Sequence, residues 1–161
     1  MEGIIGMIKL YAVDQPPAHW RVCDGSQLPK SNYPELFARI GQRFGGEGDT
    51  FALPNLPKEA AGYFVIMVHS SAESEVQHRG MVSQIVLSAS DDAPTGYLPC
   101  DGRSVSAVQY PVLSQVMGTR FGGDGKGNIA LPNIPDNRGV RYVICVEGIN
   151  PMPPEEDDDD I

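Results

Sequence analysis

Two recurring residue clusters in this 161-residue chain invite a chemical reading. Cys23 and Cys100 each precede an Asp-Gly step, so a thiol and a carboxylate stand side by side at Cys23-Asp24-Gly25 and again at Cys100-Asp101-Gly102. A cysteine nucleophile needs a base to form its thiolate. The three histidines, His19, His69 and His78, lie in different segments and read as surface or linker residues, and Gly-x-Ser-x-Gly is absent. Recurrence at equivalent positions points instead to packing, with a small apolar residue beneath each Asp-Gly turn. Asp24 and Asp101 could act as paired acids, but turn formation already occupies both.

The glycine runs Phe44-Gly45-Gly46-Glu47-Gly48 and Phe121-Gly122-Gly123-Asp124-Gly125 suggest a phosphate cradle at first sight. A P-loop, however, leads into a helix through Gly-Lys-Ser/Thr. Here each run follows a predicted helix, contains an acid and leads toward Leu-Pro. The expectation is a backbone that needs positive φ or close approach to another chain. Asp124 and Asn128 lack EF-hand spacing and its closing Glu, and no His-x-His or His-x-x-x-His pair occurs. Cys23, Cys100 and Cys145 form no Cys-x-x-Cys, and their odd number argues against a fully paired disulfide framework. Free, mostly buried thiols are expected, with no metal, no cofactor and no enzyme activity.

The elements that position these residues come from an internal duplication. A shift of 77 residues superposes Trp20 to Gly25 on Tyr97 to Gly102, Tyr33-Pro34-x-Leu36 on Tyr110-Pro111-x-Leu113, and Arg43 to Gly48 on Arg120 to Gly125. After one inserted residue the shift becomes 78, and Ala52-Leu53-Pro54-Asn55 meets Ala130-Leu131-Pro132-Asn133. Across Gly3 to Val68, 26 of 66 positions match their partner, too many for coincidence. The domains read as 1–77, module 1 with the polar linker Ser70 to Arg79; 78–148, module 2; and 149–161, a Pro-rich then acidic disordered tail.

Each module predicts the same order. Alternating apolar residues (Ile8, Leu10, Ala12; Ile85, Leu87, Ala89) suggest a half-buried strand within Ile4 to Ala12 and Val82 to Ala89. A Pro-bearing turn and a short strand lead to Cys-Asp-Gly. A helix follows: Ser31 or Asn32 caps Tyr33 to Ile40, with Pro34 in the first turn and Gly41 at the end, and the second copy runs Ser106 to Met117. Then come the Gly-rich loop, Leu-Pro-Asn, and an apolar strand, Tyr63 to Val68 or Arg141 to Val146. Fold class is therefore α+β, as two tandem small modules of short strands, one helix and a long Gly/Pro-rich loop. Modules this small have marginal cores without a disulfide or metal, so packing on a neighbour is the natural remedy.

Composition narrows the function classes. The formal net charge of −9 falls to about −3 when the six acids of Glu155 to Asp160 are set aside, since 15 acids then face 12 bases. No basic stripe suited to nucleic acid appears. No apolar run approaches the ~20 residues of a membrane span. The N-terminus MEGIIGMIKL lacks a basic stretch followed by a long apolar core, so no Sec signal is expected.

The ordered motifs Trp/Tyr-x-x-Cys-Asp-Gly, Tyr-Pro-x-Leu, Phe-Gly-Gly-Glu/Asp-Gly and Ala-Leu-Pro-Asn resemble the phage tail collar domain of short tail fibres and microcystin-dependent-type bacterial proteins, here in two copies. The family's Leu-Pro-Asp-Leu-x-Gly-Arg is replaced by Leu-Pro-Asn-Leu-Pro-Lys (53–58) and Leu-Pro-Asn-Ile-Pro-Asp (131–136). The resemblance implies a structural, oligomer-forming role in a virion tail, made in the host cytoplasm, with a homotrimer and contacts to other tail or baseplate proteins. The alternative is a bacterial extracellular adhesin or filament subunit exported by a non-Sec route, with a cell-surface glycan as partner. Trp20 and Tyr97 are the residues that could stack on sugar rings, although core or interface packing is the favoured reading.

Overall fold

The computed structural model describes residues 4–12, 15–59, 62–69 and 80–152; the linker Ser70 to Arg79, His78 within it, and residues 153–161 lie outside them. Module 1 contributes β1 (Met7–Tyr11), β2 (Trp20–Val22), β3 (Gln27–Pro29), α1 (Pro34–Ile40), β4 (Thr50–Ala52) and β5 (Tyr63–Met67). Module 2 repeats the order as β6 (Ile85–Ser88), β7 (Tyr97–Pro99), β8 (Ser104–Ser106), α2 (Pro111–Met117), β9 (Asn128–Ala130) and β10 (Arg141–Cys145). The chain is mostly β with two short helices, a β-richer balance than the α+β expectation. The surplus comes from the ribbons β3–β4 and β8–β9, whose three-residue strands carry too short a pattern for period-two reading.

One six-stranded antiparallel sheet joins the two modules, in the order β2-β5-β1-β6-β10-β7. Its two faces are both occupied. Ile8, Ile66, Leu87 and Ile144 belong to the clusters beneath the helices, whereas Met7, Val65, Val86 and Val143 are buried on the other side. Burial on both faces corrects the expected half-buried alternation: Met7 and Ile8 are both covered, while Leu10 stands 46% exposed.

The helices start later than the spacing suggests. Tyr33, not Ser31 or Asn32, occupies the N-cap position of α1 and makes no side-chain cap bond; Ser31 Oγ instead approaches Asn32 Oδ1 at 3.5 Å. Pro34 at the first helical position has no N–H to satisfy, which lowers the demand for a cap. Ser106 belongs to β8, paired with Asn128, so α2 begins at Pro111. Seven residues are too few for an isolated helix, and each is held by its buried pair, Leu36 and Ile40 or Leu113 and Met117. Ile149, assigned to the tail on sequence, is bound to module 2: its N–H donates to Gly80 O at 2.8 Å and its carbonyl accepts from Val82 N at 2.9 Å.

The seam between modules is the pairing of equivalent strands, β1 with β6. Met7 faces Ser88 and Ile8 faces Leu87, and Ala89 N donates to Gly6 O at 2.9 Å. Because the partners are antiparallel copies of one another, the seam has a local pseudo-twofold axis. The ladder obeys it at one end only. The counterpart pairs, Leu10 with Ile85 and Tyr11 with Gln84, do not join, and a cleft of about 470 Å³ opens there, lined by Ile8, Leu10, Phe64, Ile85, Leu87 and Tyr142.

Candidate assembly surface

The two Cys-Asp-Gly turns are clamped by the Leu-Pro-Asn segments in matching ways. Leu56 N donates to Cys23 O and Leu53 N to Ser26 O, both at 2.9 Å, while Gly25 N reaches Pro54 O at 3.2 Å. In module 2, Ile134 N donates to Cys100 O and Leu131 N to Arg103 O, both at 2.9 Å, and Gly102 N reaches Pro132 O at 3.1 Å. Gly25 and Gly102 share φ of 79°, in the left-handed region, so the recurrence of glycine there is conformational. Leu53, Pro54, Leu131 and Pro132 are all buried.

Local hydrogen bonds occupy the carboxylates. Asp24 Oδ1 accepts from Ser26 N at 2.9 Å and from Ser26 Oγ, and the hydroxyl bond above all holds its carboxyl below the usual range. Asp101 is held low chiefly by the Arg103 guanidinium, with Nη2 at 2.7 Å from Oδ2. These aspartates sit in separate modules and do not pair as acids. Burial, reinforced by the adjacent aspartate, holds the thiols protonated, pushing Cys23 up to about 12 and Cys100 to about 11. All three cysteines are free and buried.

The glycine runs fold back on their own ribbons. A Cβ at Gly46 would lie 2.5 Å from Phe51 Cα, and one at Gly123 would lie 2.7 Å from Ile129 Cα, so close backbone approach fixes both positions. Gly45 N donates to Gln42 O and Gly122 N to Thr119 O, each at 3.0 Å, so these groups are turned inward rather than toward an anion. Asp124 Oδ1 accepts from the N–H groups of Lys126, Gly127 and Asn128 at 2.9 to 3.1 Å, which lowers its pKa and makes it the centre of a turn. Among the described residues no three His, Cys, Asp or Glu side chains gather as a metal site.

Trp20 is only 3% exposed and packs with Val65 and Met67, and Tyr97 is buried with Met7, Val86, Val143 and Cys145. Neither presents a ring to a sugar. Burial also pushes the Tyr97 hydroxyl up to about 12. His69 stacks on Tyr33 at 4.6 Å and lies 6.4 Å from His19, a grouping that no spacing signals because the three come from separate segments.

The contacts that join the two modules cross the seam. Arg43 of module 1 pairs with Asp91 of module 2 and donates through Nη1 to Gly139 O at 3.3 Å. Phe44 packs over Gly139, where an added Cβ would sit 3.2 Å from its ring. Leu87, Ala89 and Val140 of module 2 enter the hydrophobic cluster at the centre of module 1. Two copies of one fold thus share a sheet and part of a core.

The sequence pattern of the Phage Tail Collar Domain matches residues 6–61 and 83–138, one match per module. The chain belongs to the phage tail collar domain family. No curated protein matches it. A collar domain is a structural module of phage tail fibres, so a structural tail-fibre role follows, and the turn-and-clamp geometry above is the framework of the two collars. Among the described residues no helix is long and apolar enough to cross a membrane.

Proposed function

We propose that this tandem-collar chain is an assembly component of a phage tail or phage-derived particle, forming a homo-oligomeric ring, adaptor or fibre tip. The apolar surface left uncovered on module 2 carries the reading. Where α1 presents Glu35 and Arg39, α2 presents Val112 and Val116 at the same positions. Beside Val116 lie Met81 and Pro151, around a cleft of about 460 Å³, with the exposed Ile149 and Met152 close in sequence. Both valines are half-buried, Val112 against module 2's own cluster, and with the exposed Met81, Ile149 and Met152 they extend an apolar surface of the kind another protein covers. A trimer would supply six collar modules, matching a sixfold tail. Contacts to other tail or baseplate proteins and a place in the virion tail belong to the same proposal.

Mass photometry and negative-stain microscopy of the purified chain test it. Closed particles of uniform copy number are expected. A single-chain mass at micromolar concentration refutes the proposal.

A further inference from the structure

The two modules share one backbone arrangement at the corner where the second and last strands of each meet, and differ there in their side chains. In module 1, Val68 N and His69 N both donate to His19 O, at 2.9 and 3.4 Å. In module 2, Val146 N and Glu147 N donate to Gly96 O, at 2.8 and 3.2 Å. The duplication aligns His19 with Gly96 and His69 with Glu147. Gly96 has φ of 85° and His19 φ of 70°, so both lie in the left-handed region. Glycine enters that region freely, whereas a residue with a side chain does so at a cost. Module 2 closes the same frame with no imidazole at either position. Folding alone therefore does not account for two histidines at this corner.

The two imidazoles stand together at the surface. His19 and His69 are both exposed, with ring centroids 6.4 Å apart and ring planes at 89°. Tyr33 stacks on His69 at 4.6 Å and steadies that ring. Glu35 lines a cleft of about 190 Å³ with Tyr33 and His69, at the position where module 2 has Val112. Arg21 stands over the Tyr33 ring at 5.7 Å. One carboxylate and one guanidinium thus approach the same tyrosine, and their charges balance.

We propose that His19 and His69 together bind a divalent first-row transition ion of the zinc, nickel or copper type, with water completing its shell. Neutral imidazole nitrogen is a ligand for these ions, whereas calcium and magnesium prefer oxygen. Two rings sharing a tetrahedral zinc, with Zn–N bonds of about 2.0–2.1 Å, have centroids roughly 5 Å apart. A turn of the exposed His19 side chain toward His69, held by Tyr33, closes the difference. The backbone cost at His19 is then offset by a ligand that glycine cannot supply.

Isothermal titration calorimetry of the full chain with zinc chloride tests the site, in excess magnesium chloride so that the carboxylates of Glu155 to Asp160 are occupied. The variants are His19→Gly, which installs module 2's own residue in the same backbone, and His69→Gln, with thermal unfolding in zinc-free buffer alongside. One zinc per wild-type chain is expected. Each variant should weaken binding by about tenfold or more, the loss of one of two protein ligands, without lowering the zinc-free Tm. A wild-type chain with no saturable zinc uptake overturns the proposal. Uptake undiminished in both variants places the ion elsewhere, and a loss in only one removes the shared site; either overturns it. A fall in the zinc-free Tm of His19→Gly at unchanged zinc affinity assigns the imidazole to packing, and overturns it as well.

Discussion

Val140 offers the sharpest test of the shared core. It belongs to module 2, is 0% exposed and lies in module 1's cluster with Leu36, Ile40 and Phe51. Val140→Ala removes two buried carbons' worth of apolar contact, about 1.6 kcal/mol at ~0.8 kcal/mol per buried carbon. The unfilled cavity raises this to about 2–3 kcal/mol, because α1 and the ribbon beside it can close only partly. For a chain of this length that lowers Tm by roughly 5–10 °C. Trp20, the sole tryptophan, is buried in module 1's part of the sheet and reports on that half. Urea unfolding followed by Trp20 fluorescence and by far-UV circular dichroism should coincide in the wild type. In Val140→Ala the fluorescence transition should move to lower urea ahead of the dichroism. A loss under about 0.5 kcal/mol, or two transitions that shift together, would refute the claim that module 2 completes module 1's core.

Three further outcomes follow from the geometry. Gly46→Ala and Gly123→Ala each place a Cβ against backbone at positive φ and should cost about 2–4 kcal/mol, read as a fall in urea midpoint, with no gain from the lower chain entropy of alanine. With its pKa near 12, Cys23 is ionised to roughly one part in 10⁴ at pH 8; iodoacetamide should leave the native thiol unmodified by mass spectrometry and label it once the chain unfolds. Asp24 and Asp101 have folded pKa values below their unfolded ones, held by Ser26 and Arg103 respectively, so their stabilisation is present above about pH 4 and lost as pH falls through the folded values. Asp24→Asn/Asp101→Asn should flatten the stability–pH curve below pH 4 and leave its slope at neutral pH unchanged; the effect is small, because both groups are near solvent.

The sequence made the duplication legible because glycine, proline and Cys-Asp-Gly positions are fixed by backbone geometry, which tolerates few substitutes. Gly25 and Gly102 share one φ, and Gly46 and Gly123 meet backbone at the same place in each ribbon. Helix positions were legible in their apolar faces, though not at their starts, where Pro34 replaced the capping that Ser31 or Asn32 suggested and α2 began at Pro111 rather than Ser106. The seam was not legible. Leu10 and Leu87 are identical residues at equivalent positions, yet one is exposed and the other completes a neighbouring core. Their fates diverge because the β1–β6 ladder joins Ile8 to Leu87 and does not extend to Leu10 and Ile85, an asymmetry that exists only once the modules have met. Histidine proximity was hidden for a similar reason, since His19 and His69 come together only when β2 pairs with β5.

The donated valine also bears on ancestry. Module 1 cut from this chain at the linker would lack the side chain that closes its interior, so that half cannot be inherited as a self-sufficient unit. A single-module ancestor built like module 1 would need that closure from another molecule, through the same strand-to-strand contact. Joining two such modules in one chain makes that meeting permanent.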